Sequence, residues 1–377
     1  MKIAMITFSC AFNYGAILQT YGLYCYLESK GHEVEIIDYI PDRYNLDAKD
    51  YADHAIQRTR FWKYIPCSKI IWKNTRLKQM KENRLVFRHF LECKTVLTHK
   101  YFSFEELQAD IPKADLYITG SDQVWNPEFV WNGEIDKPYF LAFLPDTVRR
   151  ISYASSFGKD ALTEDEWNEI QGFLAKYDLL SVRERNGVDI IRNMGLTASE
   201  VADPTILLGR EAFARLAEEN EQMKEPYMLL FQINFNQQLF DMCKKVADEN
   251  EIRLIPLIPD VFQASKCRSD AKLILPSVEA WIGYFMHANY IVTDSFHATV
   301  FSIMFERPFS SYVSVGYNGR IYNILNKTGL EERILFKADG GQFLIQFKKL
   351  IDYHSVKQKM AFWQEESKRW LDTALMK

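Results

Sequence analysis

Thr293, Asp294, Ser295, Phe296, His297, Ala298 and Thr299 place a carboxylate, an imidazole and three hydroxyls within seven residues. Such a set can move a proton and hold an anion. The apolar Tyr290, Ile291 and Val292 before it read as a buried strand, and Val300, Phe301, Ile303, Met304 and Phe305 after it recur at helical period. The cluster therefore sits on a strand-to-helix turn. In an open α/β sheet such a turn brings the strand's carboxyl end and the free amides of the helix to one crevice, where anionic ligands bind. The plain alternative is that Thr293 or Asp294 only caps the helix and His297 is a satisfied core histidine.

Three more strand ends carry polar groups. Leu116 to Thr119 lead into Gly120, Ser121, Asp122, Gln123, Val124, Trp125 and Asn126; Leu179 to Val182 lead into Arg183 and Glu184; Ile3 to Phe8 lead into Asn13, Tyr14 and Gly15 ahead of an amphipathic helix through Leu27. An arginine at a strand end is poorly suited to a core, and four such ends suggest one shared cleft. Arg183 has a structural alternative, a pairing with Glu184 or Asp203.

These segments resemble the polysaccharide pyruvyl transferase family. The matching pieces are Asn13-Tyr14-Gly15-Ala16-Ile17-Leu18-Gln19, Gly120-Ser121-Asp122-Gln123-Val124-Trp125-Asn126, Ser152-Tyr153-Ala154-Ser155-Ser156-Phe157-Gly158, Ser181-Val182-Arg183-Glu184, Ala202-Asp203-Pro204 and Thr293-Asp294-Ser295-Phe296-His297. They fall in order over nearly the whole chain, so the match is specific as a set. The resemblance implies transfer of pyruvate from phosphoenolpyruvate to two hydroxyls of a sugar in a cell-surface polysaccharide precursor, giving a cyclic ketal. It also implies a GT-B-like fold of two Rossmann-like domains facing a central cleft, with the functional histidine and arginine at His297 and Arg183. Some members carry an arginine two residues before the histidine. Here that residue is Ser295, and Arg320 is the expected replacement.

That chemistry needs fixed positive charge for a carboxylate and a phosphate, which Arg183 and Arg320 supply in planar, paired form. It needs an acid to protonate the methylene carbon, the role expected of His297 with Asp294 or a neighbour fixing its tautomer. It needs groups that orient two sugar hydroxyls: Asn13, Tyr14, Gly15, Ser121, Gln123 and Asn126, with Trp125 or Tyr153 as a stacking face. Asp122 is the expected base, or equally a capping aspartate in the Gly120 turn. Ligand spacing for magnesium or calcium is missing from the sequence, so neither a metal nor a cofactor beyond the donor is expected. The competing enzyme class is a GT-B glycosyltransferase using a nucleotide sugar. It lacks its usual helix glutamate here, since Glu306 is the first acid after His297. A glycan-binding scaffold without catalysis is the remaining alternative.

The chain has 377 residues, 47% of them hydrophobic, enough for two ordinary domains. Its formal net charge of -4 argues against a nucleic-acid partner. Six scattered cysteines read as reduced thiols of a cytoplasmic protein. Strands are expected at 2–8, 33–39, 115–119, 150–155, 179–182 and 199–202, then at 227–233, 253–258, 272–275, 290–293 and 309–313. Domains 1–205 (acceptor side) and 206–377 (donor side) follow, separated near a charged helix from Glu211 to Lys224. The resemblance to GT-B-like folds implies an expectation that the final helix, 355–375, packs back onto the first domain. Residues 40–102 break the alternation as an insertion. Between Arg58 and Lys94 it holds eleven Lys or Arg against two acids, interleaved with Phe61, Trp62, Tyr64, Ile70, Ile71 and Trp72. This is either a helical insertion with solvated charges or a peripheral contact with anionic lipid, which would suit a lipid-linked acceptor at the inner membrane face.

Overall fold

The computed structural model describes residues 1–57, 68–129, 135–269, 272–273, 275–313 and 319–376. The chain forms two compact units: Met1–Phe157 with Ala161–Arg183 and Gly187–Ser199, and Glu200–Lys377 with Gly158–Asp160 and Glu184–Asn186.

In the first unit β1 (Lys2–Ile6), β2 (Glu33–Tyr39), β3 (Leu97–Tyr101), β4 (Leu116–Thr119) and β5 (Arg150–Ser152) form one sheet in the order β3-β2-β1-β4-β5. Its pairings are parallel. Ile3, Ala4, Met5 and Ile6 are fully buried because β1 is central and covered on both faces, which is why it reads as an unbroken apolar run. β6 (Leu180–Val182) pairs with β7 (Ala198–Glu200) and is bridged to the β5 side through Ile151–Leu179 and Ser155–Val182.

Asn13 caps the helix Tyr14–Ser29 by accepting from Ala16 N at 2.7 Å. This helix is buried nearly all round rather than amphipathic, because the insertion covers its outer side. Phe87 and Phe90 of the insertion helix Lys78–Lys94 meet Tyr14 and Tyr21 edge-on at 5.0 and 5.4 Å. Arg88 of that helix reaches the buried Asp38 of β2 at 2.7 Å and also pairs with Glu92, while Lys81 and Arg84 converge on Asp47. Part of the basic charge is thus answered within the protein. Phe61, Trp62 and Tyr64 lie outside the described residues; Trp72 is buried against Tyr51, and Ile70 and Ile71 are exposed.

In the second unit β8 (Tyr227–Phe231), β9 (Arg253–Leu257), β10 (Tyr290–Thr293), β11 (Phe309–Val313) and β12 (Ile334–Phe336) form a second parallel sheet, order β12-β11-β10-β8-β9. The final helix, Tyr353–Met376, packs on the helices Pro204–Leu208 and Gly319–Thr328 of the same unit. Gln364 Nε2 donates to the carbonyls of Ile206 and Leu207, and Ala202 N donates to Ser367 Oγ. Among the described residues no helix is long and apolar enough to cross a membrane.

Several elements differ from expectation. β5 stops at Ser152, two residues before Ala154 turns left-handed at φ 53°. Of 272–275 only Leu273 joins the sheet, by a single bridge to Leu257, and residue 274 lies outside the described residues. β3 and β12 were unforeseen: β3 is a half-exposed edge strand and β12 has three residues, so neither shows an apolar run. The stretch 211–224 is not one helix but Arg210–Ala214 followed by a single turn at Glu221–Met223. Between them the backbone presses on Gly283, where a Cβ would collide with the carbonyl oxygen of Glu218. Gly283→Ala is therefore expected to cost about 1–3 kcal/mol of stability, read as a lowered urea midpoint.

Candidate active site

β10 is the centre of its sheet, and its carboxyl end opens directly into the helix Phe296–Met304. The cap is Ser295, not Thr293 or Asp294: its Oγ accepts from Ala298 N, and its own amide donates to Thr293 Oγ1. The cap residue occupies the position where some family members are expected to carry arginine, so the local need it meets is a free amide.

His297 follows in the first helical turn and is 6% exposed. Its Nε2 stands 3.4 Å from Oδ2 of Asp203, which is fully buried, without a hydrogen bond between them. The other oxygen of Asp203 caps the helix Pro204–Leu208, accepting from Thr205 N at 2.9 Å and Thr205 Oγ1 at 2.7 Å. One carboxylate thus ends a helix and faces the imidazole. Asp203-Pro204 carries a local signal for such a cap, proline at the first helical position, whereas no local signal ties Asp203 to the histidine 94 positions away. Asp203→Ala is expected to cost about 1 kcal/mol by loss of the cap, whereas Asp203→Asn retains an acceptor. Equal loss of turnover in both, with only the alanine variant less stable to urea, would assign the carboxylate charge to His297.

Asp294 does not face the imidazole. Its two oxygens accept from the amides of Ile233 and Asn234 at 2.8 and 3.1 Å and so hold the loop after β8. Burial pushes its pKa up to about 6 against the downward pull of those amides. The folded protein therefore holds this proton more tightly than the unfolded chain, and the group's contribution to stability falls as pH rises from about 4 to 6. Asp294→Asn is expected to remove that slope from urea midpoints measured across the window. Arg320 is partly buried as the second residue of the helix Gly319–Thr328, in the same unit.

In the first unit the expected polar residues gather at the carboxyl ends of β4, β5 and β6. Hydroxyls lace these ends together. Ser152 Oγ and Ser181 Oγ exchange bonds with each other's backbone at 2.8 to 3.0 Å, and Ser155 Oγ donates to Gly120 O at 2.9 Å. The frame holds Asp122 at φ 75°, a left-handed conformation that aspartate tolerates better than most residues, with Oδ1 accepting from Gln123 N. Such strain concentrates at functional sites. Arg183 is 1% exposed and its Nη2 lies 3.8 Å from Oδ1 of Asp122, a carboxylate neighbour from the β4 end.

The remaining expected residues divide into polar and packed ones. Gln123 and Asn126 bond to each other at 2.9 Å, the carbonyl of Ser121 accepts from Thr7 Oγ1, and Asn13 is an exposed helix cap. Tyr14 and Gly15 are buried in their helix. Tyr153 and Trp125 are also buried, and the Trp125 indole donates to Tyr139 O, so neither presents a stacking face as the fold stands. The structure thus brings Asp122, Arg183, Gln123 and Asn126 to one edge of the first sheet, and His297, Asp203 and Ser295 to the central strand end of the second. Among the described residues no cluster of side chains has the makings of a metal site.

Comparison with solved structures gives the fold. The chain is similar to UDP-N-acetylglucosamine 2-epimerase from Rickettsia bellii, with a TM-score of 0.56 and 10% identity over 100% of this chain and 96% of that chain. It is similar also to UDP-GlcNAc 2-epimerase from Neisseria meningitidis bound to UDP-GlcNAc, with a TM-score of 0.53 and 10% identity over 100% of both chains. At that identity the likeness is one of architecture, the GT-B type with two Rossmann-like sets. No curated protein matches the sequence. The family profile for polysaccharide pyruvyl transferase matches residues 13–314, a span that takes in every motif from Asn13 to His297. The chain belongs to the polysaccharide pyruvyl transferase family.

Proposed function

We propose that this protein transfers pyruvate from phosphoenolpyruvate to two hydroxyls of a sugar in a cell-surface polysaccharide precursor, forming a cyclic ketal and inorganic phosphate. The observation that carries the reading is His297 at the end of β10, backed by the buried carboxylate of Asp203. One sugar hydroxyl adds to C2 of the donor while its C3 methylene takes a proton and becomes a methyl group. The second hydroxyl then bonds to C2 as the C2–O bond to phosphate breaks. Two hydroxyl protons are released; one is balanced by the proton on C3, and the other leaves with phosphate. No step is a net oxidation, so no redox cofactor is needed.

His297 delivers the proton to C3. With Nε2 turned to Asp203, Nδ1 is the ring nitrogen left for the substrate. Arg183 binds a donor anion, and its burial strengthens that attraction relative to water. Arg320 supplies the second positive charge. Asp122, beside Gln123 and Asn126, orients and deprotonates an acceptor hydroxyl.

The test is incubation of the purified protein with phosphoenolpyruvate and a panel of nucleotide-linked and lipid-linked sugars, following phosphate and acceptor mass. A pyruvate ketal formed with phosphate release is the expected result. Absence of any ketal, with nucleotide released when nucleotide sugars meet an acceptor glycan, would replace this reading by glycosyl transfer.

A further inference from the structure

On the second unit, a groove of about 390 Å³ runs along the final helix, lined by Lys327, Gln358, Lys359, Phe362 and Trp363. We propose that it is a subsite for an acidic oligosaccharide, built on residues other than those of the β10 end. Its volume lies within the usual range of small-ligand pockets, about 300–1,000 Å³.

Four observations point to that ligand class. Phe362 is 70% exposed on a helix whose other side is packed, so its ring serves no core. Trp363 is half-buried beside it and adds a second aromatic ring to the lining, its indole Nε1 turned away from solvent. Lys359 Nζ donates to a backbone carbonyl, that of Thr328 at 3.2 Å, and has no carboxylate within ion-pair distance among the described residues. Lys327 Nζ lies 5.0 Å over the Trp363 ring and 3.0 Å from Glu200. Aromatic faces carry negative charge density and attract the C–H edges of a pyranose. An uncompensated ammonium selects a carboxylate, giving specificity more than raw affinity.

The groove shares its frame with the site. Its helix is bonded through Ser367 and Gln364 to Ala202 and Ile206, the residues on either side of the Asp203 cap. Resting on the proposed function, the anionic sugar is a repeat of the polymer that already carries a carboxylate, such as a ketal formed earlier.

Isothermal titration of the full chain with a hyaluronan hexasaccharide, and with maltohexaose as its neutral counterpart, tests the groove without phosphoenolpyruvate. Expected is binding of the acidic hexasaccharide that weakens about tenfold in Phe362→Ala and in Lys359→Gln, both folded by circular dichroism, and about tenfold weaker binding of maltohexaose to the parent. Unchanged affinity in both variants, equal affinity for the two sugars, or no binding of either would overturn the assignment. A failed titration leaves pyruvyl transfer standing, and a failed transfer assay leaves a positive titration standing.

Discussion

His297→Gln is expected to lower turnover by about 10²- to 10⁴-fold, the usual contribution of a general acid, while the thermal transition stays within a few degrees of the parent. Glutamine keeps a neutral polar side chain of similar reach beside Asp203, whose carboxylate is fully buried and 3.4 Å from the ring. His297→Ala removes that polar neighbour and leaves a cavity beside a buried carboxylate, which is costly. The pair of variants therefore separates chemistry from architecture. Loss of turnover in both with the glutamine variant fully folded assigns the imidazole to the reaction. Unfolding of the glutamine variant as well, seen by circular dichroism, would make His297 a packing residue.

Arg183→Lys is expected to raise KM for phosphoenolpyruvate about 10- to 100-fold, with a smaller change in KM for the acceptor. Lysine keeps the charge near Asp122 but loses the planar fork that pairs with two oxygens at once. An uncharged replacement would be harder to read, because it would leave the buried Asp122 without its cation. Arg183→Met with Asp122→Asn restores charge balance and serves as the control. Steady-state kinetics with each substrate varied in turn reads the difference; equal loss toward donor and acceptor would remove Arg183 from the donor site.

The central strands were legible because burial on both faces writes them as unbroken apolar runs, as in Ile3 to Ile6 and Tyr290 to Val292. Edge strand β3 was not, since Tyr101 alone of its five residues is buried. The helix after Asn13 was legible, but its apparent amphipathicity was not real. Its outer face is covered by Phe87 and Phe90 from an insertion some seventy residues away. The same holds for charge: the basic stretch looks uncompensated in sequence, yet Arg88 finds Asp38, and Lys81 and Arg84 find Asp47.

At the site, polar residues after strands marked His297, Asp122 and Arg183 individually. Their partners depend on tertiary pairing. Asp203 opposite His297 and Asp122 beside Arg183 join distant segments, whereas Asp294, adjacent in sequence to the site, is occupied by the amides of Ile233 and Asn234. Trp125 and Tyr153 looked accessible because they neighbour polar residues, but those neighbours, Asn126, Ser152 and Ser155, are buried as well, so polarity there does not mark a surface.

The most direct measurement runs the reaction in deuterium oxide with phosphoenolpyruvate and the accepting sugar, reading product by mass spectrometry and phosphate by colorimetry. Pyruvyl transfer with protonation at C3 predicts a ketal whose methyl group carries one solvent deuterium, one phosphate per ketal, and no product from His297→Gln. A product without the label, or a glycosidic bond formed with nucleotide release in place of phosphate, would contradict the assignment of both the reaction and its acid.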